Sequence, residues 1–204
     1  VQVDQVQKAP GLGRVGTVHR GHHVARSRHV REQGIVLDHD AHAAAMGGQV
    51  HARGLVQPDL AADRHAGGIF LSGRSRAGVA ATADVVARFT ALDHPDGAPL
   101  WVATDQEGGE VQVLQGPGFD AMPYGIRQAD LSDAQLRASA EDWGRELADA
   151  GVTLNLAPVA DIVTSKATRF DNPPIGGYGR QYGYDAETVA AKAGAFAEGM
   201  RDAG

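Results

Sequence analysis

The sequence has no cysteine. That excludes a disulfide scaffold, a thiolate metal site and a cysteine nucleophile together. No apolar run approaches the roughly 18 residues that a membrane span needs. Residues 1–10 are polar and carry no apolar signal-peptide core, which leaves both cytoplasm and secretion open. Positive charge is in deficit: the net charge is -6, against a nucleic-acid partner recruited by overall charge. Aromatic residues are few, and all eleven lie beyond residue 66.

What is present divides the chain in two. Residues 1–66 hold 8 Lys/Arg, 6 Asp/Glu and eight of the nine histidines. Residues 67–204 hold 11 Lys/Arg and 19 Asp/Glu. The first segment lacks the side chains that bury most apolar area each. Its apolar groups, such as Gly34-Ile35-Val36-Leu37, reach only strand length, and no helix-length pattern with caps appears. His19, His22 and His23, and the crowd of Asp38, His39, Asp40 and His42, invite a metal reading. A metal site also needs a frame and an outer set of partners, and this text suggests neither, so no metal and no cofactor are expected. The leading explanation is a GC-rich gene translated out of frame, with a solvated, irregular stretch as the alternative.

The second segment is patterned. Residues 67–73 read as a buried strand leaving a glycine turn. Val79, Val85, Val86, Phe89 and Leu92 share one face of a helix within 75–92. Leu100 to Thr104 is a second strand ending at Asp105, followed by a long glycine-containing loop. Ser132 and Gln135 form a capping-box pattern before Leu136, Ala140, Trp143 and Leu147. Gly151 is placed to end that helix. Residues 152–156 make a third strand, and Asp185 can cap a last helix with Val189, Ala193, Phe196 and Met200 on its face. Strands alternating with helices imply parallel pairing and right-handed crossovers. The long loops follow strand C-termini, the rim where such folds bind ligands. Asp105, Gln106, Glu107, Asp161 and Arg180 lie there. A carboxylate at such a position accepts two hydrogen bonds from vicinal sugar hydroxyls, or binds a hard cation. Arg180, among Tyr178, Tyr182 and Tyr184, suits a sugar, a carboxylate or structural stacking. No G-x-G-x-x-G opens a helix after a strand, which disfavours a dinucleotide fold.

Five stretches in order resemble glycoside hydrolase family 3, in its bacterial β-N-acetylhexosaminidase-like branch. They are Gly67 to Leu71 with Gly73-Arg74; Val102-Ala103-Thr104-Asp105-Gln106-Glu107-Gly108-Gly109; Pro117-Gly118-Phe119 with Met122-Pro123; Glu146-Leu147 with Gly151 to Asp161; and Ile175-Gly176 with Gly179 to Gly183. The resemblance covers Gly67 to Gly204. It implies a partial (β/α)8 barrel, about strands two to four with their helices, after an unmatched segment. It also implies a retaining glycosidase acting on a carbohydrate substrate, through a carboxylate nucleophile and a separate acid/base. Asp105 becomes a ligand for sugar hydroxyls and Arg180 a second substrate contact. Asp161 becomes a sugar contact or a support for its loop, and Glu107 a loop holder.

Departures from the family pattern shape the expectation. Glu110 and Val113 stand where the family often has arginines, so a positive sugar contact is expected to be lost. The Lys-His-Phe-Pro-Gly-His-Gly loop, the acid/base histidine and the nucleophilic aspartate are absent. The chain is therefore expected to be a fragment without turnover and with marginal folding. The competing readings are a non-catalytic carbohydrate-binding protein, a family 3 β-glucosidase specificity, and a metal-binding protein using the His-rich segment.

Overall fold

The computed structural model describes residues 34–40, as backbone, and 66–92, 97 and 99–204. The chain divides into units Val1–Arg31 and Glu32–Gly204, and everything described lies in the second. Four strands form one parallel sheet in the order β1, β2, β3, β6: β1 is Gly34–Asp40, β2 Gly68–Arg74, β3 Trp101–Thr104 and β6 Leu154–Asn155. A short antiparallel hairpin, β4 (Gln106–Gly108) and β5 (Val111–Gln112), follows β3. The helices are α1 (Gly78–Thr90), the single turn α2 (Gly125–Gln128), α3 (Asp133–Asp149) and α4 (Ala186–Asp202). A 3-10 turn at Arg169–Asp171 and a π turn at Pro173–Gly177 shape the loop before α4.

This is the expected strand–helix alternation, with parallel strands joined through α1 and α3. Two differences stand out. The segment expected to be unmatched and irregular contributes β1, whose backbone runs parallel to β2 from Gly34 opposite Gly68 to Asp40 opposite Arg74. The stretch expected to be a plain loop after Asp105 folds back as the β4–β5 hairpin. The rest of the His-rich text, and the histidine clusters within it, fall outside the described side chains.

Helix α3 begins as its sequence dictates. The Ser132 hydroxyl accepts from the Gln135 backbone N–H at 3.3 Å, and the Gln135 side chain accepts from the Ser132 N–H at 3.0 Å. Two otherwise unpaired donors are satisfied. Leu136, Ala140, Trp143 and Leu147 are buried along one face. Asp185 caps α4 by accepting from the Thr188 N–H at 2.8 Å. Val189, Ala193 and Phe196 are buried on the inner face of that helix, with Met200 partly so.

The core has two parts. One lies between the sheet and α1, with Ile69, Leu71, Val86, Phe89, Val102 and Leu114. The other lies between α3 and α4, where Phe196 packs against Trp143 and Tyr182 with ring centroids 6.2 and 6.3 Å apart. Burying a side chain of this size stabilises the fold by about 1.5–3 kcal/mol. At the β6 side of the sheet, Leu154 and Leu156 remain exposed.

Candidate functional site

β3 ends at Thr104, so Asp105 stands at the C-terminal rim of the parallel sheet. The hairpin holds it there. The Gln106 side chain donates to the Leu114 carbonyl at 2.8 Å and accepts from the Leu114 N–H at 3.0 Å. Asn155, on β6, mirrors this on the Gln106 backbone, accepting from its N–H and donating to its carbonyl, each at 3.0 Å. Two amide side chains, Gln106 buried and Asn155 half-buried, thus stitch the turn after β3 to its neighbours. Gly108 and Gly109 have φ of 101° and 59°. A Cβ on Gly108 would collide with the Pro123 carbonyl, and one on Gly109 with the Tyr124 ring. Only glycine permits that backbone and that closeness.

Glu107 points back into the protein and meets Arg180 in a fork. Arg180 Nε donates to Glu107 Oε2 at 2.8 Å, and Nη2 donates to Oε1 at 2.7 Å. Nη1 donates to the Pro174 carbonyl at 3.0 Å. The expectation that Glu107 holds the loop is what the geometry does: it ties β4 to residues 173–180. Three of the five guanidinium N–H donors are used, and two remain for a ligand.

Asp105 is different. Its carboxylate is half-buried, and among the described residues no donor is bonded to it. Burial first, and the neighbouring Glu107 charge second, push its carboxyl above the usual aspartate range, while Arg180 pulls it back. The guanidinium of Arg180 is held more firmly protonated, chiefly by its hydrogen bond to Glu107, with further support from Asp105 and Asp161. Asp161 is exposed and, among the described residues, makes no hydrogen bond or ion pair. The three residues singled out as sugar contacts therefore share one electrostatic neighbourhood centred on Arg180.

The two departure positions separate. Glu110 is exposed at the rim, where Arg74 Nη2 donates to its Oε2 at 3.0 Å and the Tyr124 hydroxyl to its Oε1 at 3.1 Å. Val113 is buried in the core. Among the described residues, no group of three or more His, Asp or Glu is arranged to hold a metal ion. Among them too, no helix is long and apolar enough to cross a membrane.

Residues 47–204 match the family model described as Glycosyl hydrolase family 3 N terminal domain. The chain belongs to glycoside hydrolase family 3. The match begins twenty residues before the resemblance read from the motifs. A crystal structure of the β-N-acetylhexosaminidase from Beutenbergia cavernae is 50% identical, with a TM-score of 0.72, over 83% of this chain and 48% of that one. A family 3 β-N-acetylglucosaminidase from Paenibacillus is 33% identical with a TM-score of 0.62, over 72% of this chain and 27% of that one. The β-hexosaminidase LpqI of Mycobacterium tuberculosis is 38% identical over 107 residues, 52% of this chain and 26% of that protein. The β-hexosaminidase of Methylococcus capsulatus is 32% identical over 161 residues, 74% of this chain and 45% of that protein. This family 3 chain thus spans between a quarter and a half of the relatives it matches. Its parallel strands and crossover helices are part of the family's (β/α)8 barrel.

Sequence reasoning did not find Gln106, Asn155, Gln128 or Tyr182 as parts of the site's frame. Four glutamines fall between 106 and 128, and three of them are Gln106, Gln112 and Gln128. All three are buried.

Proposed function

We propose that this chain carries the binding half of a retaining glycosidase site of the β-N-acetylhexosaminidase type, for a terminal β-linked N-acetylglucosamine or a related sugar. The observation that carries the reading is Asp105. It is a half-buried carboxylate at the C-terminal rim of the sheet with no donor on it among the described residues. An acceptor removed from water without partners is costly, and two adjacent sugar hydroxyls satisfy it. Arg180 offers its two remaining N–H groups to a sugar oxygen, and Asp161 reaches the sugar from the loop after β6.

Retaining hydrolysis needs a nucleophilic carboxylate and a separate acid/base. Glu107 fills neither role in this reading, because both of its oxygens accept from Arg180. Asp105 binds and orients the sugar. The nucleophile and acid/base motifs of the family do not occur in these 204 residues, so the chain alone binds sugar without turning it over.

Titration calorimetry of the chain with N-acetylglucosamine tests the binding, and an aryl β-N-acetylglucosaminide tests the chemistry. The expected result is saturable binding that Asp105→Ala abolishes, with no hydrolysis above a blank. Absence of binding by the folded chain, or equal binding by Asp105→Ala, overturns the assignment. Glucose binding equal to that of N-acetylglucosamine would point to β-glucosidase specificity instead.

A further inference from the structure

Arg180 is positioned from two directions, and both end on Glu107. The first is the direct fork already described. The second runs through the one-turn helix α2. Gln128, on that turn, is fully buried. Its Nε2 donates to the Glu107 backbone carbonyl and to the Pro123 carbonyl, each at 2.7 Å. Its Oε1 accepts from the Tyr182 hydroxyl at 2.8 Å. Tyr182 lies two residues beyond Arg180, so the loop of 180–182 is pinned at both ends to the same residue. One end is held by the Glu107 side chain, the other by its backbone through Gln128.

The rest of α2 closes the frame. The Ile126 N–H donates to the Gly179 carbonyl at 3.0 Å. The Arg180 carbonyl lies so close to Gly125 that a Cβ there would collide with it. Tyr182 is anchored from behind by Phe196. Its phenol is held well above the usual range, by burial first and the Glu107 charge second, so it stays a hydrogen-bond donor. An amide is the side chain that fits between these partners. It supplies two donors toward two carbonyls and one acceptor toward a hydroxyl. A carboxylate would oppose two carbonyl oxygens, and a hydrocarbon would leave the buried Glu107 carbonyl and Tyr182 hydroxyl without this partner.

We infer that Gln128, acting with Tyr182, is a positioning residue that fixes Glu107 and Arg180 for substrate without touching it. The inference rests on the proposed sugar site only for its binding readout.

The experiment compares the chain with Gln128→Met and Tyr182→Phe, and uses Ser132→Ala, which removes a cap bonded to Gln135, as a control that weakens the fold. Two quantities are read: affinity for N-acetylglucosamine, and the NMR signal of the Arg180 side-chain Nε–H. The expected result is an affinity about tenfold weaker in Gln128→Met, equivalent to about 1.4 kcal/mol of binding free energy. A shifted or broadened Arg180 signal accompanies it, and Tyr182→Phe falls between it and the parent. Ser132→Ala leaves both readouts unchanged. The inference is overturned if the folded variants keep the parental affinity and Arg180 signal. If Gln128→Met does not fold, Tyr182→Phe, which removes one oxygen atom, decides. If the parent chain binds no sugar, the proposed function fails, and the Arg180 signal still decides the positioning role.

Discussion

Removing either member of the Glu107–Arg180 pair has unequal consequences. The Glu107 side chain is only 10% exposed and Arg180 is 24% exposed. Arg180→Ala strands a nearly buried carboxylate whose two oxygens had each accepted a short, charge-assisted hydrogen bond. Breaking a fully buried pair in this way costs about 3–5 kcal/mol. The partial exposure of Arg180 lowers the expectation to about 2–4 kcal/mol, since water screens part of the interaction. Glu107→Gln keeps one acceptor for Arg180 and leaves a guanidinium that still holds the Pro174 carbonyl and reaches solvent. That change costs about 1–2 kcal/mol. For a chain of this size each kcal/mol moves Tm by about 2–4 °C, so Arg180→Ala falls by roughly 5–15 °C. Arg180→Lys keeps the charge and loses the fork, and belongs between the two. Urea unfolding of the three variants and the double variant supplies the numbers. The double variant costs less than the two single changes added together, because the pair is lost only once. The reasoning is refuted if Arg180→Ala and Glu107→Gln cost the same, or if both lie within about 0.5 kcal/mol of the parent as solvated surface pairs do.

Asp105→Asn is expected to abolish sugar binding and raise the denaturation midpoint. The fold itself opposes the Asp105 charge, and functional groups are often held at such a cost; a lower midpoint would count against this, and urea unfolding reads it. The pH dependence follows from the same raised carboxyl. A raised folded-state value means that the charge opposes folding at neutral pH and that protonation relieves this as pH falls through it. Sugar affinity, which needs the ionised form, is therefore lost on acidification at a pH above the roughly 3.9 of an unperturbed aspartate. Affinity measured by calorimetry from pH 7 to pH 4 checks the direction. In the frame, Ser132→Ala removes the cap of α3 and costs about 1 kcal/mol. Phe196→Ala, which empties the contact between Trp143 and Tyr182, costs about 3–5 kcal/mol and also loosens Tyr182; chemical denaturation reads both.

The elements that sequence made legible are those whose residues act locally or periodically. The capping box at Ser132 and Gln135 needs only four consecutive residues, and Leu136, Ala140, Trp143 and Leu147 repeat at the helical spacing. Strands β2 and β3 are apolar runs bounded by glycine, proline and aspartate, as buried parallel strands are. The β4–β5 hairpin was not legible as strands: its turn is made by Gly108 and Gly109, and its strands, three and two residues long, are too short to show apolar alternation. Strand β1 was legible only as a strand-length run, Gly34 to Leu37: three apolar residues in aromatic-free text have no periodicity of their own, and the pairing with β2 shows the strand. β6 is shorter than its apolar run suggests, with only Leu154 and Asn155 in the ladder.

At the candidate site, the placement of Asp105 at a strand end and of Arg180 in a glycine loop was legible, and the structure brings the two into one electrostatic neighbourhood. Glu107 was legible as a brace from its family motif. Gln128 and Tyr182 were not, since α2 is one turn long and carries no pattern. Their role exists only in the contact between segments fifty-four residues apart.

The most direct test is an amide and side-chain NMR titration of the chain with N-acetylglucosamine. Asp105, Arg180 and Asp161 should shift together, with a single saturation curve, while residues of the α3–α4 core stay still. Shifts that avoid all three residues, or no shift at saturating sugar, would contradict the account of a sugar site at the rim of this sheet.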